Sequence, residues 1–282
     1  MKQSIFTVAL EDLSYEDIAH ILAGEGYDGV EWRITHPHEE MAMKHLNLYN
    51  FENYVKDIKS LCNTLGLEIP VLASYENVDK VERIERLFLL AQMLGAPMVR
   101  IHSRIYEKSP HYDIRVKDLI EDIRKIMPLA RKYSVKPVLE LHMGTIYPGA
   151  SDVRRIVDNF SPDEIGVIFD PANMIIEGRT DWRLAVQILG KYLVHVHVKN
   201  TGWKRLKDGK WKWEWMPLDE GMVNWKEVIS ALKAEGYNGY LSQEDFYSFN
   251  VSRPQSAKDI TKLIKYVKRV LNQNKKYIAN LL

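Results

Sequence analysis

Eight short apolar runs, separated by stretches of helical periodicity, constrain this chain more than any other feature. The runs are Ile5–Leu10, Gly29–Trp32, Ile69–Ala73, Met98–Ile101, Pro137–Leu141, Ile165–Phe169, Leu193–Val198 and Gly239–Gln243. Most are continuously apolar instead of alternating, which is the pattern of parallel strands covered on both faces. Between them, Val81, Ile84, Leu87, Phe88, Ala91 and Leu94 repeat at helical spacing after Asn77, a candidate N-cap. Leu119, Ile123, Ile126, Met127 and Ala130 do the same, with a kink expected at Pro128. Asn224 and Glu227 have the spacing of a capping box, and Ile260 to Leu271 form a last amphipathic helix. Strand and helix in strict alternation give a parallel sheet, and the count of eight predicts closure into a single (β/α)8 TIM barrel over residues 1–282. The segments Glu25–Glu31 and Glu235–Tyr240 are near repeats, each predicting a helix end, a glycine turn and a strand start.

Polar residues interrupt this pattern at one place in each of four consecutive runs. The fifth ends in Glu140, the sixth in Asp170, the seventh carries His195 and His197, and the eighth ends in Glu244. All four positions fall at the C-terminal ends of strands, the end at which barrel enzymes build their sites. One such group alone is simply explained by an arginine, a lysine or a backbone partner. Three carboxylates on neighbouring strands would repel one another unless a positive charge sat between them. Glu140, Asp170, His197 and Glu244 therefore read as ligands of one divalent cation. The mostly hard oxygen set with one imidazole favours Mn²⁺, with Mg²⁺, Co²⁺ or Zn²⁺ also suited. His195 shares the parity of His197 one layer deeper and reads as a supporting histidine.

Other residues point at the same mouth. His102 ends the fourth strand and His142 follows Glu140 by two residues; both are candidate substrate contacts. Trp32 and Arg33 are also candidate substrate contacts, Arg33 being alternatively a partner of Glu31. The longest irregular stretches, His36–Asn50, Ser103–Tyr112 and Asn200–Val223, all follow strands at this end. The last contains Trp203 to Trp215, in which tryptophan alternates with basic residues around Asp208-Gly209. That alternation predicts a β-hairpin inserted after strand seven with its tryptophans on one face, serving as a lid or a contact in a homo-oligomer. A nucleic-acid surface is disfavoured, because 39 Lys and Arg against 38 Asp and Glu leave a net charge of only +1.

The segments Gly29-Val-Glu-Trp32, Leu139-Glu140, Phe169-Asp170-Pro-Ala-Asn173, His195-Val-His-Val-Lys-Asn200, Pro217-Leu-Asp-Glu-Gly221 and Glu244-Asp245 together resemble the xylose isomerase-like TIM barrel superfamily. The similarity is to its branch of ketose 3-epimerases and inosose-processing enzymes. The resemblance implies one metal ion on Glu140, Asp170, His197 and Glu244, with Glu140 and Glu244 also acting as acid and base. It places Lys199 and the position of Asn173 at the substrate. The chain departs from the family where Asn173 stands for a frequent histidine and Asn200 for a frequent aspartate. Both departures bear on substrate identity.

Three enzymatic outcomes follow. The first is a metal-dependent isomerase or epimerase of a sugar or keto-polyol, passing through an enediolate. The second keeps the site but expels a β-substituent, giving a dehydratase or lyase. The third, an endonuclease IV-like DNA repair enzyme, lacks here the further histidines that its metal cluster requires, including one at Asn173. A barrel that binds sugar without turning it over is a fourth possibility, opposed by the retained glutamates. No glycine-rich phosphate loop is present, so a non-phosphorylated carbohydrate is the expected partner. The single Cys62, the lack of a signal-like first ten residues and the absence of any apolar run near ~20 residues point to a cytoplasmic protein without membrane contact.

Overall fold

The structure, a computed structural model, describes residues 1–35, 45–103, 105–177, 180–254 and 259–282. In chain order its elements are β1 (Lys2–Phe6), α1 (Tyr15–Gly24), β2 (Gly29–Thr35), β3 (Leu46–Asn47), α2 (Val55–Leu65), β4 (Val71–Asn77), α3 (Val81–Leu94) and β5 (Met98–His102). There follow α4 (Tyr112–Tyr133), β6 (Lys136–Glu140), α5 (Ala150–Val157), β7 (Gly166–Phe169), α6 (Pro171–Glu177), α7 (Trp182–Leu189) and β8 (Leu193–Val198). The chain ends with β9 (Asn200–Arg205), β10 (Trp211–Met216), α8 (Trp225–Ala234), β11 (Tyr240–Gln243) and α9 (Ile260–Leu281).

β1, β2, β4, β5, β6, β7, β8 and β11 pair in parallel, and β1 pairs with both β2 and β11, which closes the barrel. The expected (β/α)8 fold is therefore present, with two additions. β3 pairs with the end of β2, and β9 with β10 form the hairpin after the seventh barrel strand.

The strands read as continuous apolar runs because both of their faces are covered. Outward side chains such as Val30, Trp32, Leu72, Val99, Leu139, Val167, Val196 and Leu241 join one core with the helices. Inward, Val71, Val138 and Ile168 pack with Met98 and Val194 at the lower end of the lumen. Above that apolar floor the inward positions turn polar: Glu31, Arg100, Glu140, His195 and His197 are all buried. The sequence period of 2 thus survives inside the barrel, masked by the apolar floor.

Several boundaries differ from expectation. Thr7–Leu10 forms a 3-10 turn, not strand, and Thr7 Oγ1 accepts from the Arg33 N–H at 2.9 Å. Asn77 is the last residue of β4, paired with His102, so Lys80 precedes α3 in its place. Pro128 lies inside α4 without ending it. Asn224 does cap α8, accepting from Glu227 N and donating to Glu227 Oε1 at 2.9 Å. The near repeat is one motif used twice. Gly26 (φ +73°) and Gly236 (φ +74°) close α1 and α8 in the left-handed region, followed in each case by a tyrosine N–H bonded to a helix carbonyl. Of the loop His36–Asn50, residues 36–44 lie outside the described residues. Among the described residues no helix is long and apolar enough to cross a membrane.

Candidate metal centre

Each ligand candidate reaches the lumen because its strand places it there. Glu140 is the last residue of β6, paired with Ile168 of β7, and Asp170 follows the end of β7. His197 lies in β8 opposite Ser242, and Glu244 follows β11 with its N–H on Val198 O. The four side chains converge. His197 Nδ1 lies 3.1 Å from Glu140 Oε1, 3.3 Å from Glu244 Oε1 and 3.8 Å from Asp170 Oδ2. One donor atom from each residue falls within 4.8 Å of the others.

A carboxylate sets the face that His197 offers. Glu31 accepts from His197 Nε2 at 3.0 Å and from His195 Nε2 at 2.9 Å. Without an ion, Nδ1 also carries a proton, towards Glu140 Oε1; once that proton is released, Glu31 keeps the other on Nε2 and the Nδ1 lone pair is left for an ion. Burial opposes a charged Glu31, but the two imidazoles outweigh it and hold its carboxyl well below the usual range. Phe6 stacks on the His197 ring at 5.4 Å and limits its rotation. The expected pairing of Arg33 with Glu31 is replaced by these histidines. The guanidinium of Arg33 lies instead 5.5 Å over the Tyr75 ring.

Lys199 Nζ sits among the same carboxylates, donating to Asp170 Oδ2 at 2.6 Å and to Glu244 Oε1, with Glu140 Oε1 at 4.0 Å. Burial disfavours the ammonium, yet Asp170 and Glu244 raise its pKa far above the ordinary lysine value. Burial likewise opposes an imidazolium at His197, and Glu31 and Glu140 outweigh it, raising its pKa well above the ordinary value. The site therefore already gathers positive charge among its carboxylates.

The donor set fits a divalent ion. Glu31, Glu140, Asp170 and Glu244 are four buried carboxylates against two buried permanent cations, Arg100 and Lys199. With the ion in place of the His197 proton and all four carboxylates ionised, the excess is two negative charges, which one divalent cation cancels. Glu140, Asp170, His197 and Glu244 would hold it.

The remaining candidates divide. His102 and His142 meet edge to face at 5.6 Å beside Glu140, and His142 Nδ1–H donates to Met143 O. Asn173 is fully buried in the first turn of α6. Its amide donates to Glu140 Oε1 at 3.2 Å and to Leu141 O at 3.0 Å, so it braces the Glu140 carboxylate. Trp32 belongs to the core behind the barrel wall, fully buried, because its neighbour Glu31 takes the inward position. It is not placed to touch a substrate in the lumen.

The hairpin forms with the expected one-sided face. Trp213 pairs with Trp203 and Trp215 with Thr201, so Trp203, Trp211, Trp213 and Trp215 share a side. At its base, Trp215 meets Phe246 at 4.9 Å, and Lys199 Nζ lies 5.6 Å from the Trp215 ring and 5.7 Å from that of Phe246. These rings roof the site, and Glu140, Asp170, His197, Lys199 and Glu244 are each at most 3% exposed.

Sequence reading missed Arg100, Glu31 as the partner of the histidines, and the Trp215–Phe246 roof. Arg100 had a signal: a charged residue at an inward position of the run Met98–Ile101, two residues before His102.

Burial, and then Arg100, push the His102 imidazole down to about 4 from 6.5. The group is neutral when folded but charges near 6.5 when unfolded, so stability falls as pH drops from about 6.5 towards 4. The loss amounts to about 3 kcal/mol at most, from ~1.4 kcal/mol per pKa unit. Urea midpoints at pH 7 and pH 4.5 measure it. His102→Asn should flatten that acid slope, and an unchanged slope would show that other groups set it.

A profile of the xylose isomerase-like TIM barrel family matches residues 19–269. The chain belongs to this family. Among curated relatives, the inosose dehydratase of Clostridium perfringens is 23% identical over 255 residues, covering 78% of this chain and 83% of the relative. Among solved structures, the probable 3-DHS dehydratase AsbF of Bacillus anthracis superposes with a TM-score of 0.71 at 21% identity, covering 96% and 98% of the two chains. The D-allulose 3-epimerase of Methylomonas sp. superposes with a TM-score of 0.73 at 15% identity, covering 100% and 98%. At such identities the solved structures speak for the fold.

Proposed function

We propose that this family member is a divalent-metal-dependent enzyme that removes a proton beside the carbonyl of a polyhydroxylated keto compound, with dehydration as the outcome. The observation that carries the reading is the sealed convergence of Glu140, Asp170, His197 and Glu244 around one small volume. Curated relatives named inosose dehydratase favour dehydration, and a keto-cyclitol is then the substrate class.

The bound ion, with Mn²⁺ the first choice, supplies positive charge that polarises a carbonyl oxygen and steadies negative charge next to it. The protein does the rest. Glu140 and Glu244 are the carboxylates available for proton transfer. Lys199 is an ammonium aimed at the same space, suited to hold a substrate oxygen. His102 and His142 line the wall next to Glu140, where neutral imidazoles can exchange hydrogen bonds with hydroxyls. Trp215 and Phe246 exclude water once the substrate is seated. In the reaction the C–H bond beside the carbonyl breaks to a carboxylate, a carbon–carbon double bond forms, and the β-hydroxyl leaves with a proton as water.

Epimerisation or isomerisation is the second reading, favoured by the likeness to ketose 3-epimerase structures. It differs only in that the proton returns to carbon and no hydroxyl leaves. Incubation with Mn²⁺ in D₂O and a panel of inososes, ketoses and 3-keto-glycosides, followed by NMR, separates the two. Dehydration gives an unsaturated or diketone product with loss of water. Deuterium entering an otherwise intact sugar gives the second reading, and neither a new product nor exchange on any member of the panel counts against both.

A further inference from the structure

We propose that Arg100 is a positioning residue that commits one oxygen of Glu140 to the barrel wall, so that Glu140 is a fixed one-oxygen ligand and Glu244 alone carries the proton. This rests on the metal-site reading above and divides the labour between its two glutamates.

Arg100 is 1% exposed in the lumen, and its Nη2 lies 2.7 Å from Glu140 Oε2. The contact is an ion pair by distance, with angles outside hydrogen-bond geometry. The guanidinium is clamped on another side by the Tyr75 ring, 4.3 Å from its centroid. Glu140 Oε1, the oxygen facing His197, is braced by the Asn173 amide at 3.2 Å.

The same plan holds for two other ligands. Asp170 Oδ1 accepts from the Asn173 N–H at 2.9 Å, leaving Oδ2 for the site. His197 Nε2 is held by Glu31 at 3.0 Å, leaving Nδ1. In each of the three, the atom facing away from the site is tied to the protein.

Glu244 breaks the plan. Its Oε1 faces Lys199 and His197, and its Oε2 makes no hydrogen bond to any described residue. The neighbouring Asp245 is pinned by the Asn274 amide at 2.8 Å, so the protein holds the chain here through Asp245 and not through Glu244 Oε2. A proton carrier must turn between the carbon it deprotonates and the group it next protonates. A carboxylate held at both oxygens cannot do this, and one with a free oxygen can.

The test uses the full chain and measures metal binding as well as activity. Arg100→Met removes one lumen charge and frees Glu140 Oε2, so Mn²⁺ should bind at least ten-fold more tightly by calorimetry. The visible band of the Co²⁺-loaded protein should weaken as a further oxygen joins the ion, and turnover at saturating metal should fall at least ten-fold. A merely structural arginine predicts the opposite for affinity. Arg100→Lys keeps the charge but not the Nη2 contact with Glu140 Oε2, so Mn²⁺ affinity should stay within three-fold while the Co²⁺ band still changes. This variant decides the matter if the methionine variant does not fold. At saturating Mn²⁺, Glu140→Gln should keep at least a tenth of the deuterium exchange and Glu244→Gln should lose it.

A folded Arg100→Met that binds Mn²⁺ no more tightly overturns the proposal, as does an unmoved Co²⁺ band in Arg100→Lys or complete loss of exchange in Glu140→Gln. If the wild-type chain binds neither Mn²⁺ nor Co²⁺, the metal reading fails and takes this one with it. Wild-type binding with unmoved Arg100 variants sinks this one alone.

Discussion

Glu244→Gln should cut turnover of the keto-polyol substrate by roughly 10²–10⁴-fold, the range in which a positioned acid or base acts. The amide keeps the size of the side chain and one oxygen that can face the ion, but it cannot accept a proton. The loss should therefore persist at saturating Mn²⁺, appearing in kcat more than in KM. Burial of Glu244 disfavours its charged form, and Lys199 and His197 outweigh that, holding its carboxyl below the usual range. It is thus ionised in the resting enzyme and ready to accept a proton. Deuterium exchange at the substrate carbon, followed by NMR, is the direct measurement. Exchange that continues at the wild-type rate in the metal-saturated variant would remove Glu244 from the chemistry.

Mn²⁺ affinity should rise about ten-fold for each pH unit across the neutral range, because binding must release a proton. In the metal-free protein His197 is raised well above its ordinary value and is an imidazolium at pH 7. Its Nδ1 then carries a proton towards Glu140 and Glu244, on the atom a metal would need. Each step up in pH, until the imidazolium is lost, makes the ligand more available. The effect on folding has the opposite sign. A raised histidine stabilises the metal-free fold fully below its unfolded value near 6.5, and that contribution is lost as pH rises through the folded value. Chelation at neutral pH should consequently abolish turnover while leaving the barrel folded, with His197 and Lys199 as the internal cations. Calorimetry in buffers of different ionisation heat counts the proton. A pH-independent affinity with no proton released would mean that His197 is not a ligand.

The barrel and the four converging residues were legible in the sequence for one reason. Strand ends at Glu140, Asp170 and Glu244 interrupt apolar runs, and a carboxylate at the end of an apolar strand is costly enough to be informative. The hairpin was legible through its alternation around Asp208-Gly209. What escaped depended on which face of a strand is inward. Glu31 points into the lumen, so Trp32 had to point out, and the pattern Gly-Val-Glu-Trp states this only once the parity of β2 is fixed. Arg100 was hidden inside a run read as apolar. Asn173 looked like a substitute for a substrate contact, but a helix turn beginning at Pro171 brings its amide onto Glu140. The roof depended on Phe246 and Trp215 meeting across 31 residues, a pairing that no local pattern encodes.

The apolar floor of Val71, Val138 and Ile168, with Met98 and Val194 below, makes the lumen a blind well. Passage to the site would then be by the end that Trp215 and Phe246 roof. On the proposed chemistry a proton taken up by Glu244 would leave by the same end, and would mix with bulk solvent only as fast as that end admits water. The barrel would carry an isotopic memory of its substrate, set by how fast the roof opens relative to the chemistry below it.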